Sequence, residues 1–277
     1  MQFGMPTLIE NHALAENVAL CKALNLSFLE LNMNFPEYQL DSLEDTAFLV
    51  DAARSAGIDY TIHLDESLNI ADFNPLVSAA YLETVRRTIG ASKKLLCLRD
   101  HCASAPPLVL TMHMNHGIHI TLPDRKVQMY ERNFSAYMAS YRSFRALCEE
   151  WIDGADLIIA IENTDGFRDY EREAINCLLQ SPCFGLTWDI GHAKAAGEKD
   201  VPFLMEHASK VVHFHIHDGA EVPPRNHLAL GDGDIDLPER LRFAESCRGR
   251  CVLETKTIAA LEKSVRWLAR HPIRQTR

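Results

Sequence analysis

The chain lacks any apolar run approaching the ~20 residues needed to cross a bilayer. Its opening, MQFGMPTLIENH, has neither the basic flank nor the apolar core of a secretory signal. Both absences point away from a membrane and toward the cytoplasm. There is no CxxC pair. Cys21, Cys97, Cys102, Cys148, Cys177, Cys183, Cys247 and Cys251 form no compact framework, so reduced thiols are expected. Cys177 and Cys251 fall in apolar patterns as small buried hydrophobes, whereas Cys97 and Cys102 read as loop. Positive charge is scarce: 28 Lys and Arg against 38 Asp and Glu give a formal charge of -10. That balance disfavours a general polyanion surface, and no dense basic and aromatic run is present to grip a duplex. Nucleic acid is therefore not the expected partner, although a bound cation can make a pocket positive inside an acidic protein. No Gly-rich dinucleotide fingerprint follows the first apolar segment.

What is present is a series of six strand-like segments, IDYTIHLD, LVLTMHM, DLIIAIEN, FGLTWDIGH, VVHFHIHD and RCVLETK. Each breaks its apolar pattern near its C-terminal end with a metal-capable or acid/base side chain: His63, His113, Glu162, Asp189, His215 and Glu254. Side chains two apart on a strand share a face. Val212, Phe214 and Ile216 thus oppose His213, His215 and His217. Likewise Phe184, Leu186 and Trp188 oppose Gly185, Thr187 and Asp189. The bulky face suits an outer layer of helices, and the polar-ended face suits the inside of a barrel.

Short strands near Gln2 to Met5 and from Leu26 to Met33 bring the number to eight. Helical periodicity predicts helices over 13–24, 43–56, 75–89, 127–151, 170–179, 201–208, 237–246 and 258–269. Pro75 and Pro202 suit first turns, and Gly57 suits a C-terminal stop. Alternating strands and helices mean a parallel sheet, and polar strand ends favour its closed form. The expected fold is an α/β (βα)8 TIM barrel spanning 1–277 as one domain. The length of 277 residues and a hydrophobic fraction of 47% suit it.

In such a barrel the C-terminal strand ends meet at one mouth. Glu162, Asp189, His215 and Glu254 would then supply three carboxylates and one imidazole. That donor set suits a divalent ion, Mn, Mg, Co or Zn, with the choice unresolved by ligand type. An isolated inward histidine is more often a hydrogen-bonded structural residue. The cluster carries the reading, because several carboxylates buried near one point without cations would be very costly. His63 and His113 lie where Glu162 could bridge to a second ion, and His192 and His227 could hold a third ion or substrate. Glu30, His217 and Arg225 are candidates for substrate contact. The loop from Gly219 to Asp236 is a lid or a passive surface loop, and NHGIHITLPDRK (115–126) should overhang the same mouth. His116 and His119 within it read as wall or surface residues. The aromatics Tyr130, Phe134, Tyr137, Tyr141 and Phe144 have helical spacing and read as packing residues.

At these residues, from about His63 to Lys256, the chain resembles the xylose-isomerase-like barrels. That group includes ketose 3-epimerases, other sugar isomerases and apurinic-site endonucleases. The resemblance lies in IEN at Glu162, WDIGHAKAAG around Asp189 and His192, HFHIHD at His215, the HLALGDGDID loop, and LET at Glu254. It implies an isomerase or epimerase of a small carbohydrate or related hydroxy-ketone. One divalent ion would be held by Glu162, Asp189, His215 and Glu254, and Glu162 and Glu254 would exchange the proton through a metal-stabilised enediolate. His192 would orient hydroxyls, and His63 and His113 would line the pocket. The endonuclease-like alternative implies three zinc ions: one on His63, His113 and Glu162, a second on Glu162, Asp189, His215 and Glu254, and a third partly on His192 and His227. An Asp is expected there two residues before His227, and Arg225 stands in its place. A lyase or dehydratase would use the same proton-abstracting groups, and a binding protein could keep the barrel without turnover. A homo-oligomer is compatible with all of these.

Overall fold

In the computed structural model, which describes residues 1–96 and 106–272, eight parallel strands close into a barrel. They are β1 (Gln2–Pro6), β2 (Phe28–Asn32), β3 (Asp59–His63), β4 (Leu108–His113), β5 (Leu157–Glu162), β6 (Phe184–Asp189), β7 (Val211–His215) and β8 (Arg250–Val252). Each pairs with its neighbours in sequence, and β8 closes the ring by pairing with both β7 and β1. The expected TIM barrel is the fold found. Cys97 and Cys102 lie outside the described residues.

The period of two explains the layering. Phe214, Trp188, Leu186, Ile159 and Ile161 point outward and are buried beneath the surrounding helices. Inward positions are mostly polar or small, with Phe28 the bulky exception at the base. Gly4 leaves room for Phe28, since a Cβ there would lie 2.6 Å from the Phe28 ring and from its carbonyl oxygen. Low in the barrel the Arg250 guanidinium sits 4.0 Å over the Phe28 ring and 3.1 Å from Asp59 Oδ2. Above it lie Glu30, Thr61, Thr111, Thr187 and His213, all buried.

The helices follow the expected positions with two breaks, a 75–89 helix that runs on to Leu95, and an unpredicted short helix, Ile190–Ala195. The predicted 43–56 helix is divided: Leu40–Glu44 ends at Asp45, whose side chain accepts the Phe48 N–H and so starts a new helix, Thr46–Ala56. The predicted 127–151 helix begins later. Lys126–Gln128 is a strand paired antiparallel with His119–Thr121, then come Met129–Arg132 and, after Asn133, Phe134–Ile152. The Asn133 side-chain amide donates to the Met129 carbonyl at 2.8 Å and marks that break. Of the aromatics there, Tyr130, Tyr137, Tyr141 and Phe144 are core residues, but Phe134, at the first turn, is 40% exposed. Cys251 is buried as expected, whereas Cys177 is only half-buried. The segment from Gly219 onward is also a hairpin, with Asp218–Ala220 pairing antiparallel to Arg225–Leu228.

Candidate metal and proton-transfer site

Strand register brings the polar ends together. His113 pairs with Glu162 across β4 and β5, and Asp189 pairs with His215 across β6 and β7. Glu254 follows β8 by two residues, its backbone N–H donating to the Ile216 carbonyl at 3.1 Å, so the closing segment carries it to the same level. Asp189 ends its strand as the N-cap of the helix Ile190–Ala195, with Oδ1 accepting the His192 N–H at 2.6 Å. The Asn163 side chain exchanges two 2.9 Å hydrogen bonds with the Asp189 backbone and locks β5 to β6 at this point.

The centre of the cluster is His215 Nδ1. It lies 2.9 Å from Glu162 Oε1, 3.1 Å from Glu254 Oε2 and 3.8 Å from Asp189 Oδ2. One nitrogen carries at most one proton, so it cannot satisfy three carboxylate oxygens, and Glu254 Oε2 has no hydrogen-bond partner although it is buried. One donor atom from each of Glu162, Asp189, His215 and Glu254 lies within 4.8 Å of the others. Three buried carboxylates converging on one point with an orphaned oxygen fit a divalent cation. Such a donor set does not choose among Mn, Mg, Co and Zn.

Each ligand candidate is braced from behind. His215 Nε2 is 2.9 Å from Glu30 Oε1, and the other Glu30 oxygen takes His213 Nε2 at 3.0 Å and the Thr61 hydroxyl at 2.8 Å. Glu162 Oε2 faces His113 Nε2 at 3.1 Å and His63 Nε2 at 3.3 Å. Glu254 Oε1 takes the Lys256 ammonium at 2.8 Å. Burial opposes charge on both Glu162 and Glu254. His215 and His113 for Glu162, and His215 and Lys256 for Glu254, outweigh it and hold both carboxyls well below the ordinary carboxylate range. For His63, burial lowers its pKa, but the bond to Glu162 more than reverses this and raises it to about 9.

The site opens into a cleft of about 750 Å³. Of the residues expected at the mouth, His63, His113, Glu162, His192, His227 and Glu254 line it. Asp189 and His215 lie beneath, fully buried. Glu30 and His217 are also buried, Glu30 under His215 and His217 behind Asp189, where its Nε2 is 2.9 Å from Oδ2. Neither lines the cleft. Arg225 is exposed on the hairpin and is not among the lining residues. His192, His217 and His227 stand within metal-ligand distance of one another, as do His63, Glu162 and His215. His116 lines the cleft, whereas His119 is exposed. Sequence reasoning missed Lys256, although it shares the Glu254 face two residues on. It also missed Thr164, Asp165 and Glu66, which line the cleft; Asn115 lines it from the segment expected to overhang the mouth. Asp165 and the fully buried Glu171 grip His116, at 2.6 Å from Nε2 and 2.5 Å from Nδ1. Those two bonds outweigh burial and raise the His116 pKa to about 9.

No helix among the described residues is long and apolar enough to cross a membrane. No curated protein sequence matches the chain. Among solved structures, a D-tagatose 3-epimerase-like protein superposes with a TM-score of 0.74 at 21% identity, covering 98% of this chain and 97% of that one. The 3-keto-D-glucoside 4-epimerase of E. coli gives 0.72 at 14% identity over 98% and 99%. A D-psicose 3-epimerase from Clostridium cellulolyticum H10 gives 0.69 at 12% identity over 99% of both chains. Residues 18–271 match the family model described as xylose isomerase-like TIM barrel, and with the closed eight-stranded ring this chain belongs to that family.

Proposed function

We propose that the chain is a single-domain, divalent-metal-dependent isomerase or epimerase of a small carbohydrate or related hydroxy-ketone, working in the cytoplasm. The observation that carries this reading is the double use of Glu162 and Glu254. Each sends one oxygen to the same point, 2.9 and 3.1 Å from His215 Nδ1. Each turns its other oxygen to a basic side chain at the cleft wall, His113 for Glu162 and Lys256 for Glu254.

A divalent cation, when bound there, draws electron density from a substrate carbonyl and makes the neighbouring C–H acidic. Glu162, Asp189, His215 and Glu254 would hold it. Lys256 keeps Glu254 charged and so ready to take a proton. Glu162 is likewise held as a carboxylate, so the proton it returns to substrate would first pass to Oε2 from His63, 3.3 Å away and with its pKa raised to about 9. Removal by one carboxylate and return by the other, on opposite faces of a carbon, inverts that carbon. Return to the adjacent atom isomerises the ketone. The polar cleft, with its asparagine, threonine and histidine side chains, suits a hydroxylated substrate, and the names of the similar structures agree with a sugar. The six free cysteines among the described residues agree with a reducing compartment.

A second reading rests on His63 and His113, which both reach Glu162 Oε2 and could share it with a second cation in a phosphodiesterase. Metal analysis separates the two: one ion per chain supports the isomerase, two or three the hydrolase. Glu162→Gln and Glu254→Gln should each fold normally and lose about 10²-fold or more of the solvent-deuterium incorporation into candidate ketoses. Full exchange in either variant overturns the acid and base roles of these two carboxylates.

A further inference from the structure

We propose that His217 is a positioning residue that couples the cation site to the hairpin forming part of the cleft wall, so that binding the ion seats the loop. This rests on the cation-binding reading above. His217 is fully buried behind the cleft wall, and both its ring nitrogens are engaged. Nδ1 accepts the His227 backbone N–H at 2.7 Å, and Nε2 lies 2.9 Å from Asp189 Oδ2. The Asp218 carbonyl is also 3.2 Å from Nδ1. A proton on Nδ1 would confront the His227 N–H, and the tautomer carrying only that proton would turn a bare nitrogen on the Asp189 carboxylate. The ring therefore donates from Nε2 to Asp189 and accepts at Nδ1 from the loop. It is not free to serve as a ligand beside His192 and His227.

The space for this ring is specific. A Cβ on Gly191 would lie 1.9 Å from His217 ring atoms, so residue 191 must lack a side chain. His227 sits at φ 51°, a left-handed conformation that L residues avoid. Two bonds hold it there: its N–H to His217, and its ring Nδ1 to the Glu254 carbonyl at 3.1 Å. The neighbouring Asn226 amide donates to His192 Nδ1 at 3.2 Å, and the His192 N–H is the one that caps Asp189. The strand Arg225–Leu228 thus braces Asp189 by two routes and the Glu254 backbone by one, while placing Asn226 and His227 in the cleft wall. A cation that needs Asp189 in this pose binds the seated form of the loop better. By linkage, the bound cation then favours the seated loop by the same factor.

The test uses Mn2+ as probe on the full chain, measuring its affinity by calorimetry and amide exchange over 219–228 with and without the ion. In the wild type, Mn2+ should slow exchange there about 10-fold or more. His217→Phe keeps a ring of similar bulk but neither bond. It should bind Mn2+ about 10- to 100-fold more weakly and lose the ion-dependent slowing. His217→Gln, which retains a donor and an acceptor, should fall between them and serves if the Phe variant does not fold. Wild-type affinity in a folded variant lacking both bonds overturns the proposal. So does ion binding by the wild type with no change in exchange, and that result leaves the cation site standing. Failure of the wild type to bind Mn2+ at all overturns the cation-site reading and this coupling together.

Discussion

Replacing His116 by Gln should remove a pH-dependent part of the stability that other groups in the protein leave unchanged. The imidazole is clamped between Glu171, fully buried at 2.5 Å, and Asp165, at 2.6 Å. Glu171 is fixed in turn by the Arg168 N–H at 2.8 Å, and the Tyr170 hydroxyl holds the His116 carbonyl at 2.9 Å, so neither partner is free to retreat. With the His116 pKa raised from 6.5 to about 9, the charged form gains at most about 3.4 kcal/mol on folding. The His116 side chain is 29% exposed and that of Asp165 is 62% exposed, so solvent screening reduces this to roughly 2 kcal/mol. The sign follows from linkage. A raised histidine pKa stabilises the fold fully below the unfolded value of about 6.5, and the contribution is lost as pH rises through about 9. Urea unfolding of the wild type and His116→Gln from pH 6 to 10 should show a gap of about 2 kcal/mol at pH 6 that shrinks steadily above pH 7. A gap that stays flat across the range refutes the clamp.

Adding a tightly bound divalent ion to metal-free protein should raise the unfolding free energy by about 2.7 kcal/mol at 100 times Kd, and chelation should reverse it. An unchanged Tm would count against the site. Glu30→Gln leaves His213 and His215 without their shared carboxylate and should weaken ion binding about 10-fold, read by competition with a fluorescent chelator. Gly4→Ala forces a methyl group against the Phe28 ring and backbone and should cost about 1–3 kcal/mol in chemical denaturation, with the ion site intact if the strain stays local.

How much could be read from the amino-acid order follows the physics of strands. His63, His113, Glu162, Asp189 and His215 each close a five- or six-residue strand, where a period of two assigns the face and the strand's C-terminal end puts the side chain at the mouth. Glu30 has the same face but lies in the middle layer, and depth inside a barrel depends on shear between strands, which no single segment encodes. It reads as a candidate for substrate contact and is found beneath His215 instead. The clamp on His116 joins residues 49 and 55 apart in the chain, beyond the reach of local periodicity. The His119–Thr121 hairpin did leave a trace, in the alternation of ITLPDRKV around a Pro-Asp turn, but the apolar spacing that follows masked where the helix began.

Because β8 hydrogen-bonds to β7 on one side and β1 on the other, Glu254 reaches its place only when the two ends of the chain have met. The fourth donor is thus a signature of circumference. A chain cut before residue 250 would still contain Glu162, Asp189 and His215, yet the barrel holding them would have a gap and the ion would have one fewer anchor. On the proposed cation-binding reading, ion affinity would double as a gauge of whether the first and last strands are joined.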